Sequence, residues 1–88
     1  MALFLVVALK AAAPSIDAAI SAKLSPDKFY KIETGKWVVD SEAITAKDLS
    51  DQLGLIGNMS HITVAFRGYY GRAQPDLWEW LAAKSAKS

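Results

Sequence analysis

Residues 61–81 read His61-Ile62-Thr63-Val64-Ala65-Phe66-Arg67, then Gly68-Tyr69-Tyr70-Gly71-Arg72, then Ala73-Gln74, then Pro75-Asp76-Leu77-Trp78-Glu79-Trp80-Leu81. Three patterns follow one another here. Ile62, Val64 and Phe66 alternate with His61, Thr63, Ala65 and Arg67, the period-two signature of a half-buried strand. The glycine-flanked tyrosine pair reads as a turn, because glycine lets the chain reverse with little steric cost. Pro75 and Asp76 suit the first turn of a helix, where a missing N–H is harmless and an acid meets the positive end of the helix dipole. Leu77, Trp78 and Leu81 then form an apolar face. The stretch predicts the last strand of a small sheet handing over to a helix that closes the core.

Upstream, Thr45 is a plausible N-cap with Asp48 at N3, a version of the capping box. Ile44 and Leu49 fit a hydrophobic staple, Leu49 and Leu53 face inward, and Gly54 suits the end of the helix. Gly57-Asn58 signals a turn in the loop that follows. Residues 28–32 and 36–40 are two strand patterns joined by Glu33-Thr34-Gly35, with Gly35 able to take the positive φ of a hairpin loop. Tyr30, Ile32, Trp37 and Val39 are the candidates for the covered face. Residues 14–24 predict a helix with Pro14 in its first turn and Ile16, Ala19, Ile20 and Leu24 as its stripe. Ser25-Pro26 ends it, since a residue before proline is pushed out of the helical region.

Residues 3–9, Leu-Phe-Leu-Val-Val-Ala-Leu, form a short apolar run whose length favours a strand. Leu3, Leu5, Val7 and Leu9 lie on one side of it, Phe4, Val6 and Ala8 on the other. Such a strand is covered on both faces. The run is far shorter than the ~18 residues that span a bilayer, and no positive charge precedes it as a secretory signal requires. A cytoplasmic strand is the expectation, with no membrane association.

The order is strand, helix, strand, strand, helix, strand, helix. Its first six elements make a split βαβ, or ferredoxin-like, arrangement: an α+β fold with an antiparallel sheet in spatial order 4-1-3-2 and an additional C-terminal helix. One domain over residues 1–84 with a frayed tail at 85–88 is expected from a chain of 88 residues. Two helices cover one sheet face. The other must be covered by the third helix, another subunit, or both.

This order, the apolar first strand from Leu3, the Trp37-Val38-Val39 strand after a hairpin turn, the Thr45-Ala46-Lys47-Asp48-Leu49 helix start and the Ile62-Thr63-Val64 strand resemble the small CRISPR-associated ferredoxin-like adaptation nucleases. Their stand-alone relatives include virulence-associated protein D. The resemblance covers most of the chain. It implies the ferredoxin-like fold and a dimer. In that family an Asp ends strand one and holds a divalent metal between two subunits. Here the region is Val7-Ala8-Leu9-Lys10, so the resemblance implies fold and dimerisation more than nuclease activity.

Composition excludes several chemistries. No cysteine is present, so there are no disulfides, thiolate metal sites or cysteine nucleophiles. A net charge of +1 gives no general pull on nucleic acid or membrane. An apolar fraction of 52% argues against disorder and leaves surface for a partner. No glycine-rich phosphate loop occurs. Asp40 and Glu42, flanking Ser41, are weak metal candidates. They are expected instead to be solvated residues leading into a helix. The single histidine, His61, cannot build a multi-His site and reads as a surface residue at a strand start; its neighbour Ser60 points to the opposite face.

Tyr69 and Tyr70 beside Arg67 and Arg72 have the composition of a base-stacking, phosphate-gripping loop. Packing over the sheet or a subunit contact is the preferred reading. Trp78 and Trp80 are about 200° apart on a helix. Trp78 goes to the core and Trp80 to the rim or a partner. Lys84 and Lys87 favour the C-terminal end of the last helix. The sequence therefore predicts a non-enzymatic, self-associating binding or regulatory module, a dimer with a protein partner, with no cofactor and no catalytic residue. The alternative is a divergent metal-dependent nuclease or nucleic-acid-binding protein.

Overall fold

The central strand β1 (Ala2–Ala8) sends Phe4 and Val6 to one side of the sheet and Leu3, Leu5 and Val7 to the other. The computed structural model describes residues 2–55, 60–67 and 75–86. The turn signal Gly57-Asn58, the loop residues Tyr69, Tyr70 and Arg72, and Lys87 lie outside them. After β1 come α1 (Ala13–Lys23), a 3₁₀ turn at Pro26–Lys28, β2 (Phe29–Glu33), β3 (Lys36–Ser41), α2 (Ala46–Leu53), β4 (His61–Phe66) and α3 (Pro75–Ala86). The sheet is antiparallel throughout, in order β2-β3-β1-β4. This is the ferredoxin-like α+β arrangement with a C-terminal helix, as the order of patterns predicts.

The helices α1 and α2 close the first face. Ile16 and Ile20 of α1 and Leu49 and Leu53 of α2 bury against Phe4, Val6, Trp37 and Val39. α2 begins with a complete capping box: the Asp48 N–H donates to Thr45 Oγ1 at 3.1 Å, and the Thr45 N–H donates to Asp48 Oδ2 at 3.3 Å. Gly54 ends it in the left-handed region. The staple does not form. Leu49 is buried, but Ile44 is 88% exposed; the entry of the chain is held instead by the Thr45 box and by the buried Ala43, whose N–H donates to Ser41 Oγ at 3.0 Å.

The second face is covered by α3. Leu77 and Leu81 bury against Leu3 and Val38, with Leu5, Tyr30, Ile32, Phe66, Trp78 and Trp80 packed around them. The stripe that faces the sheet is Leu77, Leu81 and Lys84, at i, i+4 and i+7. The two tryptophans sit half-buried on its shoulders, so Trp78 is not the fully buried core residue its neighbours suggest.

The hairpin corrects a parity. A regular two-residue loop at Thr34-Gly35 would pair Ile32 with Trp37 and Tyr30 with Val39. Instead Lys31 pairs with Trp37 and Tyr30 with Val38, with an irregularity between Lys31 and Glu33. A bulge adds one residue to one strand. Tyr30 and Ile32 therefore face α3, and Trp37 and Val39 face α1 and α2. Gly35 takes φ +88°, and its carbonyl accepts the Ala8 N–H at 2.7 Å, tying the hairpin to the end of β1.

Candidate functional site

Three places concentrate chemistry among the described residues. The first is the seam between α2 and β4. Because His61, Thr63 and Ala65 alternate with Ile62, Val64 and Phe66, and because Leu5 pairs with Val64, the polar set faces the two helices. Ser50, one position past the buried Leu49, meets it there. Its Oγ lies 2.9 Å from His61 Nε2 and 3.1 Å from Thr63 Oγ1, in hydrogen bonds partly screened from water. His61 is thus not a plain surface residue. A hydroxyl beside an imidazole is the start of a nucleophile–base pair. Here the hydroxyl is shared with Thr63 and wedged between helix and strand, so the arrangement works as a polar tether. The signal for it was Ser50 on the flank of an inward-facing stripe.

The second place lies beneath α3. Asp40 is 3% exposed, which corrects its reading as a solvated residue. It shares a face with Leu3, its partner across β1, and Val38. Lys84 Nζ lies 3.4 Å from Asp40 Oδ2. The separation provides charge attraction, but the alignment leaves Oδ2 without a hydrogen bond among the described residues. The same ammonium stands 5.4 Å from the centroid of the Trp80 ring, a cation–π distance. Trp80 in turn packs against Tyr30, ring centroids 6.3 Å apart and tilted by 50°. Glu42 is exposed and, with Leu24, Lys28, Asp40 and Ser41, lines a shallow hollow beside the end of β3. The two metal candidates therefore share a hollow with a lysine, while the buried carboxylate faces Lys84. Among the described residues no three His, Asp or Glu side chains gather as a metal site.

The third place is the half of the second face that α3 leaves open. Ile62 is 50% exposed and Val64 47%, although the strand pattern predicts them covered. Leu5 and Val7 stand beside them on β1, half-buried. The cause is lateral: α3 packs toward β2 and β3 and meets Phe66 at the end of β4, so Ile62 and Val64 lie past its edge. Arg67, exposed, follows directly at the end of β4. Of the predicted loop, only Arg67 can be placed. Trp80 lies at the other side of α3, against Tyr30.

No family model, curated protein or solved structure matches the chain. None of the described helices is long and apolar enough to cross a membrane.

Proposed function

We propose that this chain is a non-catalytic binding or regulatory module that self-associates through the open half of its second sheet face. The observation that carries this reading is the exposure of Ile62 and Val64 next to Leu5 and Val7, on a face otherwise packed with large side chains. Contiguous exposed apolar surface of this kind marks interaction sites, whereas scattered apolar residues do not. The polar groups that would otherwise suggest chemistry are engaged inside the fold: Ser50 with His61 and Thr63, and Asp40 with Lys84. The near-zero net charge puts no electrostatic barrier between copies.

Sedimentation equilibrium at micromolar concentration tests it. The expected result is the mass of two chains, falling toward one chain in Ile62→Thr/Val64→Thr. The circular dichroism spectrum of the double variant should be retained, because both residues are half exposed. Adding a single-stranded oligonucleotide at low salt should leave the mass unchanged. A monomeric wild type would overturn the proposal, and saturable oligonucleotide binding would favour the nucleic-acid reading.

A further inference from the structure

The two outer strands of the sheet are built differently. β2 carries the charged Lys31 and Glu33 and is broken by a bulge between them. Its Lys31 is also tied to Asp17 of α1 at 3.2 Å. Charges and bulges are the usual means of blunting an edge against further pairing. β4 has neither: between His61 and Arg67 it reads Ile62-Thr63-Val64-Ala65-Phe66, in regular register with β1 over its whole length.

The ladder phase fixes which backbone groups of β4 face outward. The Leu9 N–H donates to the Ser60 carbonyl at 2.8 Å, continuing the register in which Ala8 opposes His61. Hydrogen-bonded and non-bonded pairs alternate along an antiparallel ladder. The pairs Val7–Ile62, Leu5–Val64 and Leu3–Phe66 are then the bonded ones. The N–H and C=O groups of Thr63 and Ala65 turn away from β1, toward the outer edge. Among the described residues, no strand pairs with that edge.

The five residues have the same pattern read in either direction: large apolar, small, large apolar, small, large apolar. An antiparallel copy related by a two-fold axis presents this same pattern reversed. We propose that two copies of the chain join β4 to β4, antiparallel, about a two-fold axis at Val64, making one continuous eight-stranded sheet. This rests on the self-association proposed above and names its geometry. Thr63 and Ala65 of each copy exchange backbone hydrogen bonds with Ala65 and Thr63 of the other. Val64 stands opposite Val64, and Ile62 opposite Phe66, so every apolar side chain meets another. An axis at Thr63 would set Phe66 against Ser60 and break that match. Because the axis is perpendicular to the sheet, both open halves fall on the same face and merge into one apolar shelf between the two α3 helices.

The absence of native cysteine makes a direct test available. In a non-bonded antiparallel pair the Cα atoms are about 4.5 Å apart, within the range of about 4.4–6.8 Å that a disulfide spans. Val64→Cys should cross-link almost completely under mild oxidation, while Lys31→Cys on the other edge should remain largely uncross-linked. Ala65→Pro removes only an outward N–H and spares the β1 ladder. It should keep its circular dichroism spectrum and sediment as one chain. A wild type that sediments as two chains, with Val64→Cys cross-linking no better than Lys31→Cys, would overturn the edge pairing and leave self-association standing. A wild type that sediments as one chain would overturn both. Should Ala65→Pro fail to fold, the pair of cysteine variants decides alone.

Discussion

The two faces of the sheet draw on the same central strand and end in different states. On the α1/α2 side, two helices seal a core whose large buried members are Trp37, Phe4, Ile16, Ile20, Leu49 and Leu53. On the α3 side, one helix covers part of the width, and the buried polar residues among those described, Asp40 and Lys84, both lie there. β1 contributes branched apolar residues to both. The difference arises from the covering elements, so alternation along a strand tells which residues share a face but not how completely that face is closed.

The largest expected effect is on the sealed side. Trp37 is fully buried, and its indole N–H has no hydrogen-bond partner among the described residues. Trp37→Ala should cost about 3–5 kcal/mol, as truncation of a large core residue does. Against a domain stability of about 5–15 kcal/mol this is a large fraction of the whole. Urea denaturation followed by far-UV circular dichroism measures it. A loss under about 1 kcal/mol would mean that the first face is no better packed than the second.

The charged side should respond to single and paired changes differently. Lys84→Met leaves Asp40 buried without its cation, at a cost of about 3 kcal/mol, the lower end of what breaking a buried pair costs. Asp40→Leu/Lys84→Met removes both charges and should lie within about 1 kcal/mol of the parent, since an apolar pair of similar volume packs without a desolvation penalty. A double-mutant cycle from chemical denaturation gives the coupling directly. Additive losses would show that α3 is held by its leucines alone.

The smallest effect belongs to the solvent side of α2. Lys47 Nζ donates to Asp51 Oδ2 at 2.8 Å across one helical turn. That hydrogen bond, and then the Asp51 charge, hold the Lys47 ammonium above the ordinary lysine value. A raised value in the folded state means that the contribution is complete below about pH 10.4, the unperturbed lysine value, and is lost as pH rises through the folded one. In Asp51→Asn, Lys47 should titrate nearer its ordinary range by NMR, with the melting temperature at neutral pH barely moved. A large drop in melting temperature would remove the contrast with the Asp40–Lys84 pair.

Much of the fold was legible because its signals are local. Thr45 with Asp48, Gly35 at a positive φ in the hairpin loop and Pro75 before an apolar stripe each act within a few residues, and the structure contains all three, although Glu33, read as part of the loop, belongs to β2. What was illegible depends on contacts between distant segments. The bulge in β2 moved Tyr30 and Ile32 to the face opposite Trp37, and no residue type in that strand announces it. Lys84 resembles an ordinary cation at a helix end, and only the docking of α3 sets it on Asp40. His61 and Thr63 read as outward because they are polar; Ser50, 11 residues before His61, makes their inward placement tolerable by supplying hydrogen bonds. The candidate site was legible only as a strand with an apolar side, since its exposure follows from where α3 stops.

The placement of Lys84 also sets an order in time. A ribosome delivers the chain from its N-terminus, at roughly 5–20 residues per second. The strands and the two helices that seal the first face are all encoded by Phe66. About 18 further residues must be delivered before Lys84 emerges, a delay of roughly one to four seconds at that speed. Throughout it Leu3 and Val38 lack their cover and Asp40 lacks its counter-ion. The nascent chain therefore passes through an interval in which its first face can be complete and its second is bare, and a chaperone that shields apolar surface during synthesis would find its target on that second face.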